Sequence, residues 1–149
     1  MPEIRNLEPD DFKHLLVIET ESFDSGYSPY FIKMIPILYG NTSFIAVKGR
    51  SAQGYIMGAI EQDNPRRAWI MSLAVRPKAR GTGLGEELLL RLLDVLVNVG
   101  VKEVKLSVAP DNLKAVGLYE KHGFTSCKIV EDFFGPGQRR KLMKKIIGE

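Results

Sequence analysis

From Leu84 to Val99 the apolar residues fall at Leu84, Leu88, Leu89, Leu92, Leu93, Leu96 and Val99. These positions share one side of a helix, while Glu86, Glu87, Arg91, Asp94 and Asn98 take the other. Gly100 is a stop signal for it. Elsewhere the pattern switches between periods. "PEIRNL" reads as a short strand, and a helix opening at Pro9 or Asp10 sets Phe12, Leu15, Leu16 and Glu19 along one side. "SGYSP" is a break. "YFIKMIPILYG" reads as a second helix, bent or shortened at Pro36 and closed by Gly40. "TSFIAVKG" and "GYIMGAIEQ" are rich in β-branched and aromatic residues and predict a hairpin, with Arg50 to Gly54 as its loop. "RAWIMSLAVRP" is a further long strand, and "VKEVKLSVA" another. "PDNLKAVGLYEKHG" predicts a helix with Asp111 or Asn112 as N-cap and Gly123 as C-cap. "FTSCKIVEDFF" and "RRKLMKKII" close the chain as two strands around "GPGQ". Seven strands alternating with four helices predict a mixed α/β (α+β) domain.

At 149 residues, the chain suits one compact domain with a core of useful size. It is 44% hydrophobic and 26% charged, and no apolar run reaches membrane-spanning length. "MPEIRNLEPDDF" lacks the apolar stretch of a signal peptide. Cys127 is the single cysteine, so an internal disulfide is excluded and a reducing, cytoplasmic location is expected. The net charge of +3 falls short of a nucleic-acid signature. The basic run "RRKLMKK" reads as the solvated face of a late strand, and no His, Cys or Asp cluster has metal-ligand spacing. His14 reads as a surface residue, His122 as part of a helix end and Cys127 as a strand residue. Neither a nucleic acid, a membrane nor a metal is expected, and the chain is expected to act as a monomer or homodimer.

The chemistry is concentrated in "VRPKARGTGLGEELLLRLL", where a strand runs through three glycines into the leucine-rich helix. A helix start offers unpaired N–H groups and a positive dipole end, which suit an anion. A plain glycine turn capping the helix explains the same residues. No Gly-Lys-Ser or Gly-Lys-Thr tripeptide occurs, so this is not a Walker loop. The third glycine comes one residue too early for a dinucleotide fingerprint.

Arg80, Gly83 and Gly85 meet the pattern Arg/Gln-x-x-Gly-x-Gly/Ala, preceded by "LAVRP" and followed by Asn112, Ala115 and "LYEKHGF". In these motifs, and in the order of its elements, the chain resembles the GNAT superfamily of N-acetyltransferases. Within it, "ESFDSGYSPYFI" and "DFFGPG" resemble N-terminal acetyltransferases of the ribosomal-protein and archaeal type. The resemblance implies the GNAT fold, in which the fourth and fifth of about seven strands splay apart, and it implies acetyl-CoA as acyl donor. The backbone of Arg80, Gly81, Thr82, Gly83, Leu84 and Gly85 would wrap the pyrophosphate, with Arg80 adding its guanidinium or simply solvated. Leu73, Ala74 and Val75 would pair with the pantetheine arm. Asn112 would bond that arm, or serve as helix N-cap.

The resemblance makes Tyr119 the general acid that protonates the leaving thiolate. Phenol and thiol have ordinary pKa values of about 10 and about 8.5, close enough for such a transfer. The expected acceptor is a protein or peptide N-terminal α-amine, whose pKa near about 8 lets it lose a proton more readily than lysine. A small-molecule amine, a lysine, or a non-catalytic acyl-CoA-binding module remain open alternatives. The general base departs from the family. The family often carries Glu or His where this chain has Ser107, and a second family glutamate would fall near Ser25; it is absent here unless Glu19 or Glu21 replaces it. Glu61 is the remaining acidic candidate; a surface glutamate at a strand end explains it equally well. Phe133 and Phe134 stand where relatives often carry tyrosines that hold the acceptor backbone.

Overall fold

The computed structural model describes residues 2–23 and 26–148. Asp24 and Ser25 lie outside the described residues, and with them the position of the second family glutamate. The elements are β1 (Glu3–Asn6), α1 (Phe12–Ser22), α2 (Pro29–Tyr39), β2 (Ser43–Lys48), β3 (Ser51–Ile60), β4 (Arg67–Val75), α3 (Leu84–Asn98), β5 (Glu103–Val108), α4 (Leu113–Lys121), β6 (Thr125–Val130) and β7 (Arg140–Ile146). The strands form one mixed sheet in the order β1-β2-β3-β4-β5-β7-β6. The expected α/β class and the count of seven strands and four main helices hold.

The chain divides into two compact units. The first comprises residues 1–59 and 71–96. Its core is a cluster of Leu15 and Ile18 from α1, Ile32 and Ile35 from α2, Ile45 from β2, and Tyr55 and Met57 from β3. The neighbour of Ile45, Phe44, points to the opposite sheet face, as strand alternation requires. There it meets α3, with the Arg91 guanidinium 5.4 Å from the ring centroid. Helices on both faces explain why β2 and β3 read as continuous apolar runs and not as alternating ones.

The second unit comprises residues 60–70 and 97–149. Here β4 pairs with β5 in parallel, from Arg67 opposite Glu103 to Ile70 opposite Leu106. The ladder stops there, although β4 runs on to Val75 and β5 to Val108, as expected for two strands that part. β5 then pairs antiparallel with β7, and β7 with β6.

Local details differ from the sequence reading at three places. Gly49 adopts a left-handed φ of 64°, so a tight turn joins β2 to β3, and β3 begins at Ser51 where a loop to Gly54 was expected. α3 ends at Asn98, so Val99 falls beyond the buried stripe and is 58% exposed. β6 ends at Val130, and residues 131–139 form a turn closed by the Phe133 N–H on the Gln138 carbonyl. Phe133 and Phe134 therefore sit in the turn and not on the strand. α2 runs on through Pro36 to Tyr39, and Gly40 caps it as expected.

Candidate active site

In the first unit the glycine loop begins where β4 ends. A short 3-10 turn, Pro77–Ala79, follows the strand. The Thr82 hydroxyl donates to the Ala79 carbonyl at 2.6 Å, and Arg80 Nε donates to the Val75 carbonyl at 2.9 Å. Arg80 is thus tied to the strand end through one nitrogen, neither purely solvated nor wholly given to a ligand. Gly81 and Gly83 have φ of 80° and 84°. An L residue there would pay for the left-handed backbone, which explains both glycines. Gly85 is the second residue of α3, so the positive-φ argument does not extend to it. The first helical bond runs from the Glu87 N–H to the Gly83 carbonyl at 3.0 Å. The amides of Leu84 and Gly85 precede it, so the helix gives them no acceptor. An exposed loop of amides opening onto the positive end of a 15-residue helix suits a pyrophosphate. Ahead of the loop, Ala74 is buried while Leu73 and Val75 are half-buried on the other face of β4.

The two acidic residues before the α1–α2 break differ sharply. Glu21 makes a two-pronged ion pair with Arg76, both bonds 2.9 Å. That bond holds its carboxyl below the usual range, which does not suit a base. Glu19 is buried on the inner side of α1, as its spacing predicted.

In the second unit, Asn112 caps α4, its side-chain oxygen accepting from the Ala115 N–H at 3.2 Å. The cap is therefore formed, and the amide nitrogen of Asn112 keeps its donors for another partner. Seven residues on, Tyr119 is 6% exposed and packs edge-on against Phe124 with centroids 5.6 Å apart. Burial pushes its phenol well above the ordinary value. The near match to a thiol expected from the sequence is lost, because desolvation disfavours the phenolate. Ser107 lies half-buried on β5, opposite Leu142 of β7. Glu61 follows β3 and is engaged: Trp69 Nε1 donates to it at 2.6 Å, and Arg67 reaches it at 3.4 Å while bonding Glu103 at 2.7 Å. Phe133 and Phe134 stack edge-on at 4.8 Å, with Arg140 over the Phe134 ring. The basic run is strand β7, and Lys145 is anchored on the His122 carbonyl at 2.5 Å. His14 is exposed.

The sequence reading missed Tyr27, Tyr55 and Ser72, which surround Glu19, and Trp69, which holds Glu61. One signal was available: a carboxylate on the apolar side of α1 demands buried donors. Sequence spacing does not say which strand supplies them.

Comparison with known proteins places the whole chain among relatives. The chain is 28% identical to the N-alpha-acetyltransferase of Saccharolobus solfataricus over 152 aligned positions, covering 95% of this chain and 91% of that protein. It is 31% identical to N-alpha-acetyltransferase 30 of Schizosaccharomyces pombe over 120 positions, 78% of this chain and 79% of that one. Its fold superposes on the crystal structure of Ard1 from Thermoplasma volcanium with a TM-score of 0.91, at 23% identity and 99% coverage of both chains. Residues 2–124 match the acetyltransferase (GNAT) family, so the glycine loop and the "LYEKHGF" helix lie inside one family match, and the chain belongs to that family as an acetyl-CoA-dependent N-acetyltransferase.

Proposed function

We propose that this protein acetylates the α-amine of a protein or peptide N-terminus, with Tyr119 as general acid. The observation that carries the reading is the buried phenol of Tyr119 on the helix capped by Asn112. Nearly full-length similarity to N-alpha-acetyltransferases supports the acceptor class. The Arg80–Gly85 loop and the start of α3 hold the pyrophosphate, Leu73–Val75 pair with the pantetheine arm, and the Asn112 amide nitrogen bonds it. The neutral amine attacks the thioester carbonyl, and the tetrahedral adduct expels the thiolate. Tyr119 gives its proton to the sulfur as the carbon–sulfur bond breaks, and the proton lost by the amine passes to solvent. Ser107 and the carboxylate of Glu61 serve that exit through water. Tyr119 then recovers its proton from solvent. The family match spans residues of both units, which supports one acetyltransferase domain. The single, exposed Cys127 fits a reducing, cytoplasmic location. As expected outcome, a competition assay acetylates a free N-terminal peptide faster than a blocked peptide carrying one internal lysine. Faster lysine acetylation overturns the reading.

A further inference from the structure

Glu19 is 4% exposed, and a buried carboxylate is costly unless hydrogen bonds hold it. Its partners come from two separate parts of the first unit. The Tyr55 hydroxyl of β3 donates to one carboxylate oxygen. The backbone N–H of Tyr27 donates to the other at 2.9 Å. The Ser72 hydroxyl of β4 lies 3.4 Å from the Tyr55 oxygen. Burial pushes the Glu19 carboxyl up, and the Tyr27 amide and Ser72 draw part of that shift back.

Gly26 and Tyr27, ahead of α2, are moulded onto this group. A Cβ on Gly26 would stand 2.7 Å from Glu19 Cγ and 2.9 Å from Oε2, so only glycine fits there without a shift. The next residue, Tyr27, donates its hydroxyl to the Met71 carbonyl of β4 at 2.7 Å and stacks on Phe31 with centroids 4.6 Å apart. Met71 lies two residues before Leu73, where the strand edge assigned to the pantetheine arm begins.

We propose that Glu19 is a positioning residue for the acceptor: through the Tyr27 amide it holds Gly26 and Tyr27 against β4, next to the edge assigned to the pantetheine arm. This rests on the N-terminal acetyltransferase reading, in which the segment between α1 and α2 receives the acceptor. Glu19 is not the base. A base needs an oxygen open to the amine, whereas both oxygens here accept from the protein and the side chain is closed to solvent.

The test compares Glu19→Leu, Glu19→Gln and Gly26→Ala by steady-state kinetics and by amide hydrogen exchange at Tyr27. Leucine removes both acceptors; glutamine keeps an oxygen for the Tyr27 N–H and offers its amide to the Tyr55 oxygen. Glu19→Leu is expected to raise the peptide KM about tenfold or more, with the acetyl-CoA KM changed by less than about twofold, and to lose protection at Tyr27. Glu19→Gln is expected to keep Tyr27 protected and kcat within about threefold of wild type. A folded Glu19→Leu with normal peptide KM overturns the proposal. So does a loss of about a hundredfold or more in kcat for Glu19→Gln, which would mark a base. Should Glu19→Leu fail to fold, Gly26→Ala is judged by the same two criteria. If wild type prefers lysine or a small amine, the α-amine reading falls. Tyr27 exchange still decides whether Glu19 holds the Tyr27 amide in place, because it involves no acceptor.

Discussion

Tyr119→Phe removes one oxygen from a side chain whose ring stays packed on Phe124. The ring is 6% exposed and its burial is unchanged by the substitution, so stability should move by about 1 kcal/mol or less. The effect on catalysis should be far larger. Losing a general acid costs about 10²–10⁴ in rate, which at about 1.4 kcal/mol per decade is about 3–6 kcal/mol of barrier. The pH dependence follows from burial. The phenol lies well above its ordinary value, so it remains protonated throughout the neutral range and adds no basic limb to kcat below about pH 10. A raised phenol favours the folded state while it is protonated in both states, and that contribution is lost as pH rises above about 10. A buried phenol is also a weaker acid than a thiol, so the proton moves only as charge develops on the departing sulfur. The assay follows thiol release under saturating acetyl-CoA and peptide, with calorimetry for CoA affinity. Near-normal turnover in a folded variant refutes the argument. A rate loss accompanied by an equal loss of CoA affinity also refutes it, since the hydroxyl would then be a binding group.

Two further outcomes are expected. Gly83→Val forces a β-branched residue into φ 84°, a strain of about 1–3 kcal/mol, and places its side chain at the pyrophosphate loop. CoA affinity should fall about tenfold or more by calorimetry if the loop sets about 1.4 kcal/mol or more of binding, and an unchanged affinity in the folded variant contradicts the assigned loop. Glu61→Gln keeps an oxygen for Trp69 and should cost at most about tenfold, with the wild-type rate climbing along the acceptor's own titration near about pH 8. An enzyme pKa far below that of the acceptor, abolished by Glu61→Gln with a loss of about 10³, would make Glu61 a dedicated base.

Much of the molecule was legible in local pattern. The stripe from Leu84 to Leu96 fixed α3 and its inward face, because helix periodicity needs only neighbouring turns. Asn112 and Gly123 marked the ends of α4 through capping chemistry that spans three or four residues. The Arg80–Gly85 pattern marked the glycine loop ahead of α3 for the same reason: its left-handed glycines and free amides are consecutive in the chain. What the sequence left open depends on residues far apart in the chain. The β2–β3 turn tightened to Gly49 because a single left-handed residue sufficed to bring Ser51 into register. The motif singled out Tyr119, but its raised phenol comes from burial, which no spacing reports. Glu61 was a free candidate in one dimension and is held by Trp69 and Arg67 once β4 folds back beside it. Glu19 shows the division most plainly. Periodicity put it on the inner side of α1, but its partners stand 8 and 36 positions away, at Tyr27 and Tyr55. Pairing over such separations is decided by sheet order and helix packing, so only the tertiary structure turned an apparent misfit on an apolar helix face into the acceptor for the Tyr27 amide and the Tyr55 hydroxyl.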